Sequence, residues 1–353
     1  MTKLLIIPFS IVFLHSIYVF AALLYSKMMK QKVSPKKDIG KCRTIEHIVC
    51  FKNESAFIKE KLENLYSLKT VHKIHYTFIN DNSDDDTLEL LEKYKKDHTT
   101  IINNSKNLGK NRSQIKAVNQ SESEFLLFTD ANVFVTDETI TELINGFDDD
   151  IGGVTGNVRV TTDLKNQDFS GRYWEIEKKI KEFQTIFGTV IGFDGGLYCV
   201  KRENYNLSRE NELSDLETAF LIFEQKKKTK YIENAHALEL EKRTIKNSLK
   251  SRIRASNRVF WSFYRIAKYI QKLDSKVVIH FFLHKMVRYA AAILYILSLP
   301  LFIYFLIQKS PILLIIFFLP FVIRLTLECV SLLIGGLIAL SGTEYKTWSQ
   351  AKK

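Results

Sequence analysis

Cysteine is scarce in this sequence, and the cysteines that are present lie far apart. Cys42, Cys50, Cys199 and Cys329 form no CxxC pair. Structural zinc sites usually take their thiolates from such pairs, so we expect no structural zinc, and reduced thiols facing a cytosolic compartment. Internal repeats and low-complexity tracts are also absent. The 353 residues leave room for one large domain or two small ones.

Acidic residues are too few to balance the basic ones. The sequence has 51 lysines and arginines against 39 aspartates and glutamates, a formal net charge of +12. The basic residues cluster in 27–41, 226–230 and 242–258. Nucleic acid, a membrane surface or a diphosphate ligand can attract such charge. Because basic clusters border apolar segments at both ends, we expect a membrane and a diphosphate ligand, and no nucleic acid.

The first apolar segment runs from Leu4 to about Tyr25 and is long enough to span a bilayer. A cleaved signal peptide is the alternative, although no small-x-small cleavage site follows. A basic flank follows the segment and a single Lys3 precedes it, so the positive-inside rule places residue 30 onward in the cytoplasm. We predict a transmembrane helix over residues 1–27 and a basic linker over 28–43.

Two further apolar segments, Met286 to about Ile307 and about Ile312 to Leu340, predict two transmembrane helices over 286–341. They would return the tail, residues 342–353, to the cytoplasm. The second segment contains Arg324 and Glu328, four residues apart and therefore on one helical face. Such a pair inside a membrane is either functional or joins the helix to a neighbour.

Strand and helix patterns alternate over residues 44–240, the predicted cytosolic domain. The predicted strands and helices are 46–51, 56–68, 73–79, 87–95, 100–102, 112–118, 125–129, 138–147 and 153–160. Regular alternation predicts an α/β fold with a mostly parallel sheet and helices on both faces. Asp84, Asp85 and Asp86 are predicted to cap the helix that begins at Thr87 and to supply its acidic first turn.

Residues 244–269 mix apolar and basic side chains on one predicted helix. This pattern suits an interfacial helix lying on anionic lipid, and we predict such basic amphipathic helices over 241–285. The alternative is a helix packed on the domain with a solvated basic face.

Polar residues follow the predicted strands, where open α/β sheets bind their ligands. Asp130 could bind a divalent cation, with a neutral oxygen from Asn132 two residues on. Asp81 and Asn82 could contact a uracil edge and ribose hydroxyls, or form a turn that caps the next helix. Lys110 could meet a phosphate or lie in solvent. The alternative is that Asp130 is an ordinary aspartate at the end of a strand, with no ligand.

Asp215 is the candidate general base of the sequence, because a positioned carboxylate can take the proton from an attacking hydroxyl. The alternative is a helix N-cap role for Ser214 or Asp215, with Glu217 in the first turn.

Several stretches, in this order, resemble the inverting family 2 glycosyltransferases. They are VCFKNES (49–55), INDNSDDDT (79–87), NLGKN (107–111), FTDAN (128–132), GFDGGLYCVKR (192–202), LSDLE (213–217), KSRIRASNR (250–258) and LHKMVRY (283–289). That family includes cellulose and hyaluronan synthase-like membrane enzymes. The resemblance implies a Rossmann-like GT-A fold that uses nucleotide-diphosphate sugars.

The resemblance implies nucleotide and metal roles for five positions. Asn53, Glu54 and Asp81 would contact the nucleoside, beside the Asn82 and Lys110 already considered. Asp130, helped by Asn132, would hold Mg²⁺ or Mn²⁺ and the diphosphate.

The resemblance also implies the remaining parts of the site. Asp194, Gly195 and Gly196 would shape the floor under the donor sugar and the acceptor. Asp215 would be the base. Arg252 or Arg254 would meet the diphosphate.

The sequence departs from the family pattern at several places. Asn80 stands where an aspartate is common, Asn132 replaces the second aspartate of the metal motif, and Ser214 replaces an acidic neighbour of the base. No proline precedes Cys50, and the Gln-x-x-Arg-Trp signature of processive synthases is absent. These departures count against processive polymerisation more than against sugar transfer.

We therefore predict a membrane-anchored, cytosol-facing inverting glycosyltransferase that moves a sugar from a UDP-sugar to a lipid-linked or glycan acceptor. The alternatives are a processive polysaccharide synthase and a non-catalytic membrane module that keeps the fold for binding.

Overall fold

A computed structural model of the chain describes residues 14, 16–25, 28, 41–161, 172–205, 215–240, 245–309, 326–327 and 329–347. Ser214, Arg324 and Glu328 lie outside the described residues, so the predictions made for them remain predictions. The same holds for residues 1–13 and for residues 310–325, which belong to two of the predicted transmembrane helices.

An eight-stranded sheet forms the centre of the described chain. Its strands are β1 (Thr44–Phe51), β2 (Lys73–Asn80), β3 (Thr99–Asn103), β4 (Phe125–Asp130), β5 (Val133–Val135), β6 (Ile151–Thr161), β7 (Leu197–Lys201) and β8 (Lys228–Leu240). The spatial order is β3-β2-β1-β4-β7-β6-β8-β5. Neighbours β3, β2, β1 and β4 are parallel, as are β6 and β8, whereas β7 and β5 run antiparallel to their neighbours. The predicted mostly parallel sheet is confirmed.

Helices cover both faces of this sheet. The helices of the described chain are α1 (Ser16–Tyr25), α2 (Ser55–Tyr66), α3 (Thr87–Tyr94), α4 (Lys110–Val118), α5 (Asp137–Asn145), α6 (Arg172–Ile186), α7 (Asp215–Glu224), α8 (Ile245–Ala267), α9 (Ser275–Phe281), α10 (Val287–Lys309) and α11 (Cys329–Leu340). Successive residues of a strand point to opposite faces. Ile48 of β1 accordingly packs in a buried cluster with Phe220 of α7, while Val49 packs in a second cluster with Leu62 of α2.

The local pattern located the elements up to β6, with the exception of β5, to within a few residues. It identified none of β5, α6, β7, α7 and β8 as separate elements. The predicted helix cap was wrong in detail: within the described part of the chain, Asp86 makes no side-chain cap hydrogen bond. Asp85 instead accepts hydrogen bonds from the Thr87 amide and the Ser55 amide, both at 3.2 Å. This carboxylate therefore joins the loop after β2 to the start of α2.

Helices α9 and α10 are continuous through one π turn at Phe282–Met286. Among the described residues, Ser275–Leu297 is the helix long and apolar enough to cross a membrane, and Ser16–Tyr25 and Cys329–Leu340 are shorter apolar helices. The apolar helix thus begins before Met286, the predicted start. The full membrane topology remains a prediction.

Helix α11 lies directly against α8 through two glycines. A Cβ on Gly335 would lie 2.5 Å from the Ile253 carbonyl oxygen, and a Cβ on Gly336 would lie 2.7 Å from the Phe260 ring. Ser256 also donates to the Leu332 carbonyl at 2.8 Å. Close backbone approach at small residues is a usual way to join helices near a membrane. One face of α8 is therefore covered by protein, while Lys250 and Arg252 on the same helix are exposed.

Replacing Gly335 with valine is expected to destabilise the packing of α11 on α8, because the new atoms meet backbone that cannot move aside. Overpacking of this kind typically costs about 1–3 kcal/mol. Thermal unfolding of the purified full chain, followed by intrinsic fluorescence, measures the loss. Leu337→Val, at a position 64% exposed on the same helix, is the control and should leave the melting temperature unchanged. Equal melting temperatures for both variants would contradict the observed packing.

Candidate active site

The candidate site lies at the carboxyl ends of the parallel strands. Cys50 of β1 is in register with Asp130 of β4, and Phe51 is in register with Asn80 of β2. The polar loops that follow these strands therefore meet at one edge of the sheet.

The loops after β1 and β2 are joined into one surface. Ser83 accepts a hydrogen bond from the Asn53 amide at 3.0 Å, and the Asn53 side chain accepts one from the Asp84 amide at 2.8 Å. The Glu54 amide donates to Thr87 at 3.0 Å. Asn53 and Asn82 both have positive φ, 55° and 57°, which asparagine tolerates better than other residues with a side chain. The structure thus brings Asn53, Glu54 and Asn82 together, and their contact with a nucleoside remains a prediction.

Asp81 is fully buried beneath this surface. Its carboxylate accepts hydrogen bonds from the amides of Leu108 and Gly109, both at 2.8 Å, and from the Asn104 side chain at 3.0 Å. In this structure Asp81 therefore fixes the loop that precedes Lys110. Its direct contact with a nucleoside remains a prediction.

Gly109 is required by its backbone and by its surroundings. Its φ is +85°, and a Cβ there would overlap the carbonyl oxygen of Lys346. Residues 342–347 thus lie across the 107–111 loop. Asn257 and Trp261 of α8 hold this segment through the Thr343 carbonyl, at 2.9 and 3.1 Å.

Lys110 lies at the centre of the site and is not a solvated loop lysine. Its ammonium group donates to the Asp130 carboxylate and, at 2.7 Å, to the Gly195 carbonyl. Burial alone would lower the pKa of Lys110, but the carboxylates of Asp130 and Asp215 outweigh it and raise the pKa. The group is therefore a fixed positive charge between β4 and the segment of residues 191–196, which we call the acceptor floor.

Asp215 is the first residue of α7 and faces the same point. A Cβ on Gly195 would lie 3.3 Å from the Asp215 carboxylate and 3.8 Å from the Lys110 ammonium, so a side chain at this glycine would crowd both groups. The Phe193 amide donates to the Asp215 carbonyl at 3.2 Å. The structure therefore brings Asp130, Lys110, Gly195 and Asp215 into one site.

Asp194 is a second carboxylate beside the floor. Burial raises the pKa of Asp194, and the nearby negative charges of Asp215 and Asp130 add to the rise. Lys181, 3.8 Å away, and the Gly196 amide, 3.1 Å away, act in the opposite direction. This arrangement makes Asp194 easier to protonate than an exposed aspartate.

Asn132 lies on the far side of the β4–β5 turn. Its side-chain amide donates to the Leu240 carbonyl at 3.0 Å and to Glu239 at 3.3 Å, so it holds the end of β8. Its role as a metal ligand remains a prediction.

The residues at this edge fit a hard divalent cation. The described residues contain no group of three His, Cys, Asp or Glu side chains placed to hold a metal. Mg²⁺ usually takes only one or two carboxylates together with water and substrate phosphates. The Asp130 carboxylate binds the Lys110 ammonium, so this position already favours a positive charge.

Among the basic residues of α8, one that the sequence analysis did not name reaches the site. Arg252 and Arg254 lie in the first half of the helix, and their contact with a diphosphate remains a prediction. Arg258, one turn further on, donates to Asn111 at 3.0 Å and so reaches the residue after Lys110. Helical spacing of four residues from Arg254 would have indicated Arg258.

Glu217 was also missed as a member of the site. This buried carboxylate, two residues after Asp215, accepts hydrogen bonds from Arg265 at 2.6 Å and from Ser262 at 2.5 Å. Arg265 also donates to Glu344 at 2.8 Å. Helix α8 therefore fixes the start of α7, where Asp215 lies. The LSDLE stretch contains Glu217, but its partners are remote in sequence.

Lys61 of α2 is buried directly beneath the Asp130 turn. Its side chain has no exposed surface, and its ammonium group donates to Thr129 at 3.1 Å and to the Val133 carbonyl. These two residues flank Asp130 and Asn132, so Lys61 ties the two sides of the turn together. Burial lowers the pKa of Lys61 from its ordinary 10.5 to about 7, against the attraction of Asp130.

We expect Lys61 to make the protein more stable as the pH rises from about 7 to about 10. In this window the unfolded chain keeps the proton on Lys61 while the folded chain has lost it, so the free energy of unfolding rises with pH, by on the order of 4 kcal/mol. The Lys61→Met variant should lack this rise. Urea unfolding of both proteins at several pH values measures it, with the exposed Lys59→Met as control. A parallel pH dependence in wild type and Lys61→Met would contradict the shift.

Comparison with known proteins now defines the class. Residues 47–206 match the family model Glycosyl transferase family 2, and the chain therefore carries a family 2 glycosyltransferase domain. The chain is similar to the poly-beta-1,6-N-acetyl-D-glucosamine synthase of Staphylococcus aureus, 28% identical over 188 residues that cover 50% of this chain and 45% of that protein. It is similar to the Staphylococcus epidermidis protein of the same name, 25% identical over 213 residues covering 58% and 47%. The chain thus spans less than half the length of these curated relatives.

The fold is also similar to that of a solved enzyme. The mannosyltransferase PcManGT from Pyrobaculum calidifontis, solved in complex with GDP-Man and Mn²⁺, superposes with a TM-score of 0.66 at 18% identity, over 96% of this chain and 99% of that chain. This likeness confirms the predicted Rossmann-like GT-A fold.

Proposed function

We propose that this chain is an inverting glycosyltransferase that moves a sugar from a nucleotide-diphosphate sugar to an acceptor hydroxyl. The observation that supports it most is the convergence of Asp130, Lys110, Gly195 and Asp215 at the carboxyl edge of the sheet. A cation beside a diphosphate subsite and a carboxylate across a glycine floor are the groups that glycosyl transfer needs. A module that only binds a nucleotide has no use for the carboxylate of Asp215 beside the floor.

In the proposed reaction Asp215 takes the proton of the acceptor hydroxyl as its oxygen attacks the anomeric carbon. The bond from that carbon to the diphosphate oxygen breaks on the opposite face, so the configuration inverts. The fixed charge of Lys110 stabilises the negative charge that develops on the departing diphosphate. Arg258, held beside Asn111, can add a second positive charge on the same side.

Asp130, with Asn132, would hold Mg²⁺ or Mn²⁺. When bound, the cation neutralises charge on the diphosphate leaving group. The residues of the loops after β1 and β2 (Asn53, Glu54 and Asn82, with Asp81 beneath them) would receive the nucleoside.

We propose a UDP-sugar as donor, with UDP-N-acetylglucosamine as its first candidate. The Staphylococcus relatives are named for a polymer of N-acetylglucosamine, which favours this sugar among the UDP-sugars. A processive polysaccharide synthase is the second candidate, because these relatives are named as synthases of a polymer.

We further propose that the domain faces the cytoplasm and that its acceptor is lipid-linked or a glycan at the membrane. The apolar helix Ser275–Leu297 and the shorter apolar helices α1 and α11 support anchoring. The basic residues that border them support contact with anionic lipid.

The test uses the purified full chain in lipid nanodiscs with radiolabelled UDP-N-acetylglucosamine, UDP-glucose, UDP-galactose and GDP-mannose, each with Mn²⁺ or with a chelator. Metal-dependent release of UDP from one donor, with label in a lipid or glycan fraction, is the expected result. Product length separates single transfer from polymerisation. Donor binding without turnover of any of the four sugars would favour the non-catalytic alternative.

A further inference from the structure

Gln184 of α6 is a fully buried amide that joins three separate parts of the chain. Its nitrogen donates to the Tyr18 hydroxyl of α1 and to Nδ1 of His284 in the π turn, both at 3.0 Å. Its oxygen accepts from the Ile191 amide at 3.0 Å. Because a backbone N–H is always a donor, the last contact fixes which end of the amide is oxygen. All three contacts are therefore chemically consistent.

The contacts beyond Gln184 extend this network into the apolar helices. The Tyr18 hydroxyl also contacts Nδ1 of His280 at 2.9 Å. Nε2 of His284 contacts Glu177 of α6 at 3.1 Å, and Lys285 donates to the same carboxylate at 2.9 Å. The π turn that carries His284 is a rare element that is found mostly at functional sites. Polar groups buried together in this way fix one arrangement of the helices.

On its other side Gln184 leads into the acceptor floor. Ile191 begins this segment, the Phe193 amide binds the Asp215 carbonyl at 3.2 Å, and the Gly195 carbonyl accepts from Lys110 at 2.7 Å. Lys181, one turn before Gln184, lies 3.8 Å from Asp194. Helix α6 therefore contacts the floor through Lys181 and Gln184. It contacts the apolar helices through Gln184 and Glu177.

We propose that Gln184 is a positioning residue that couples the bilayer-embedded helices α1 and α9–α10 to the acceptor floor. Gln184 acts on the floor through its hydrogen bond to the Ile191 amide. The position of these helices in the lipid then sets the height of the floor above the bilayer. The inference rests on the proposed function in two steps, that these helices lie in the bilayer and that the floor receives a membrane-bound acceptor. Its physical content, a mechanical link from bilayer to floor, is independent of which sugar is moved.

The test measures hydrogen–deuterium exchange in the full chain, so it does not depend on turnover. Gln184→Met keeps the length of the side chain and removes its hydrogen bonds, and Tyr18→Phe removes the hydroxyl that bonds both Gln184 and His280. Glu175→Gln, exposed on the same helix, is the matched control. In nanodiscs we expect the 189–196 peptide to exchange about tenfold faster in Gln184→Met, with a smaller increase in Tyr18→Phe, as for loss of buried hydrogen bonds. The 125–130 peptide and the control should be unchanged.

A second experiment compares hydrogen–deuterium exchange of the wild type in nanodiscs and in detergent. Exchange of the 189–196 peptide should accelerate on transfer to detergent in wild type and not in Gln184→Met, where the link is already broken. Unchanged exchange in Gln184→Met, or faster exchange over the whole domain, would overturn the proposal. If no donor sugar is turned over, the proposed function fails while the exchange result still decides the coupling.

Activity supplies a readout that a merely structural role would not move. With UDP-N-acetylglucosamine as donor, Gln184→Met should raise the KM for an N-acetylglucosamine oligosaccharide about tenfold and leave the KM for the donor within about twofold. Gln184→Glu, which keeps an acceptor for the Ile191 amide, should restore part of the loss. Equal effects on both KM values would show that Gln184 supports the fold and not the floor.

Discussion

The Asp215→Asn variant is expected to bind UDP-sugar like the wild type and to turn it over about 10²–10⁴-fold more slowly. Asparagine keeps the shape of the side chain but cannot take a proton from the acceptor. The Asp215 carboxylate lies against Gly195, across from Lys110. The backbone carbonyl of residue 215 accepts from the Phe193 amide and is unchanged by the substitution, so the start of α7 and the floor stay in place.

The measurement compares kcat with donor affinity for Asp215→Asn and for the control Asp149→Asn, the same chemical change at an exposed position. The control should match wild type in both quantities. Full turnover in Asp215→Asn would remove Asp215 from the role of base. A loss of donor binding as large as the loss of turnover would point to a role in holding the donor.

The second large effect concerns Asp130. Asp130→Ala is expected to abolish the Mn²⁺-dependent part of UDP-sugar binding, because the carboxylate is the proposed protein ligand at the end of β4. It also leaves the Lys110 ammonium without its ion-pair partner, which adds to the loss. We expect donor affinity with Mn²⁺ to fall by about tenfold or more, the scale of one lost charge-assisted interaction.

Titration calorimetry with UDP-N-acetylglucosamine, with Mn²⁺ and with a chelator, measures this effect. Asp130→Asn is the companion variant, since it retains an acceptor for Lys110 and removes only the negative charge. If Asp130 acts through the metal, the donor affinity of both variants should be the same with Mn²⁺ and with the chelator. Wild-type metal dependence in Asp130→Ala would place the cation elsewhere.

Local pattern was enough to predict the framework that carries Asp130. The strand from Phe125 is a short apolar run, and the βα alternation before it is regular, so periodicity alone indicated the sheet and both of its covered faces. The same reasoning failed at β5 and again after β6. Strand β5 has three residues, too few for a period to show, and β7 follows a glycine-rich segment without alternation.

The cap prediction failed for a related reason. Three consecutive aspartates before a helix satisfy the sequence rule for a cap, but Asp84 pairs with Lys52 at 3.1 Å and Asp85 reaches the Ser55 amide. Lys52 lies in the loop after β1 and Ser55 begins α2, and both are about thirty residues away in the sequence. Competition between local and remote partners is decided by the fold.

The sequence by itself determined the class of fold, the edge of the sheet at which polar side chains gather, and the apolar and basic character of the ends. These properties depend on residue spacing and composition, which can be read from short stretches of the sequence. Only the tertiary structure decided that Lys110 rests on Asp130, that Asp81 turns inward to the 108–109 amides, and that Gln184 links α1, His284 and Ile191. Each of these is a hydrogen bond or ion pair whose partners come together only when the strands and helices have packed, so no local pattern can specify it.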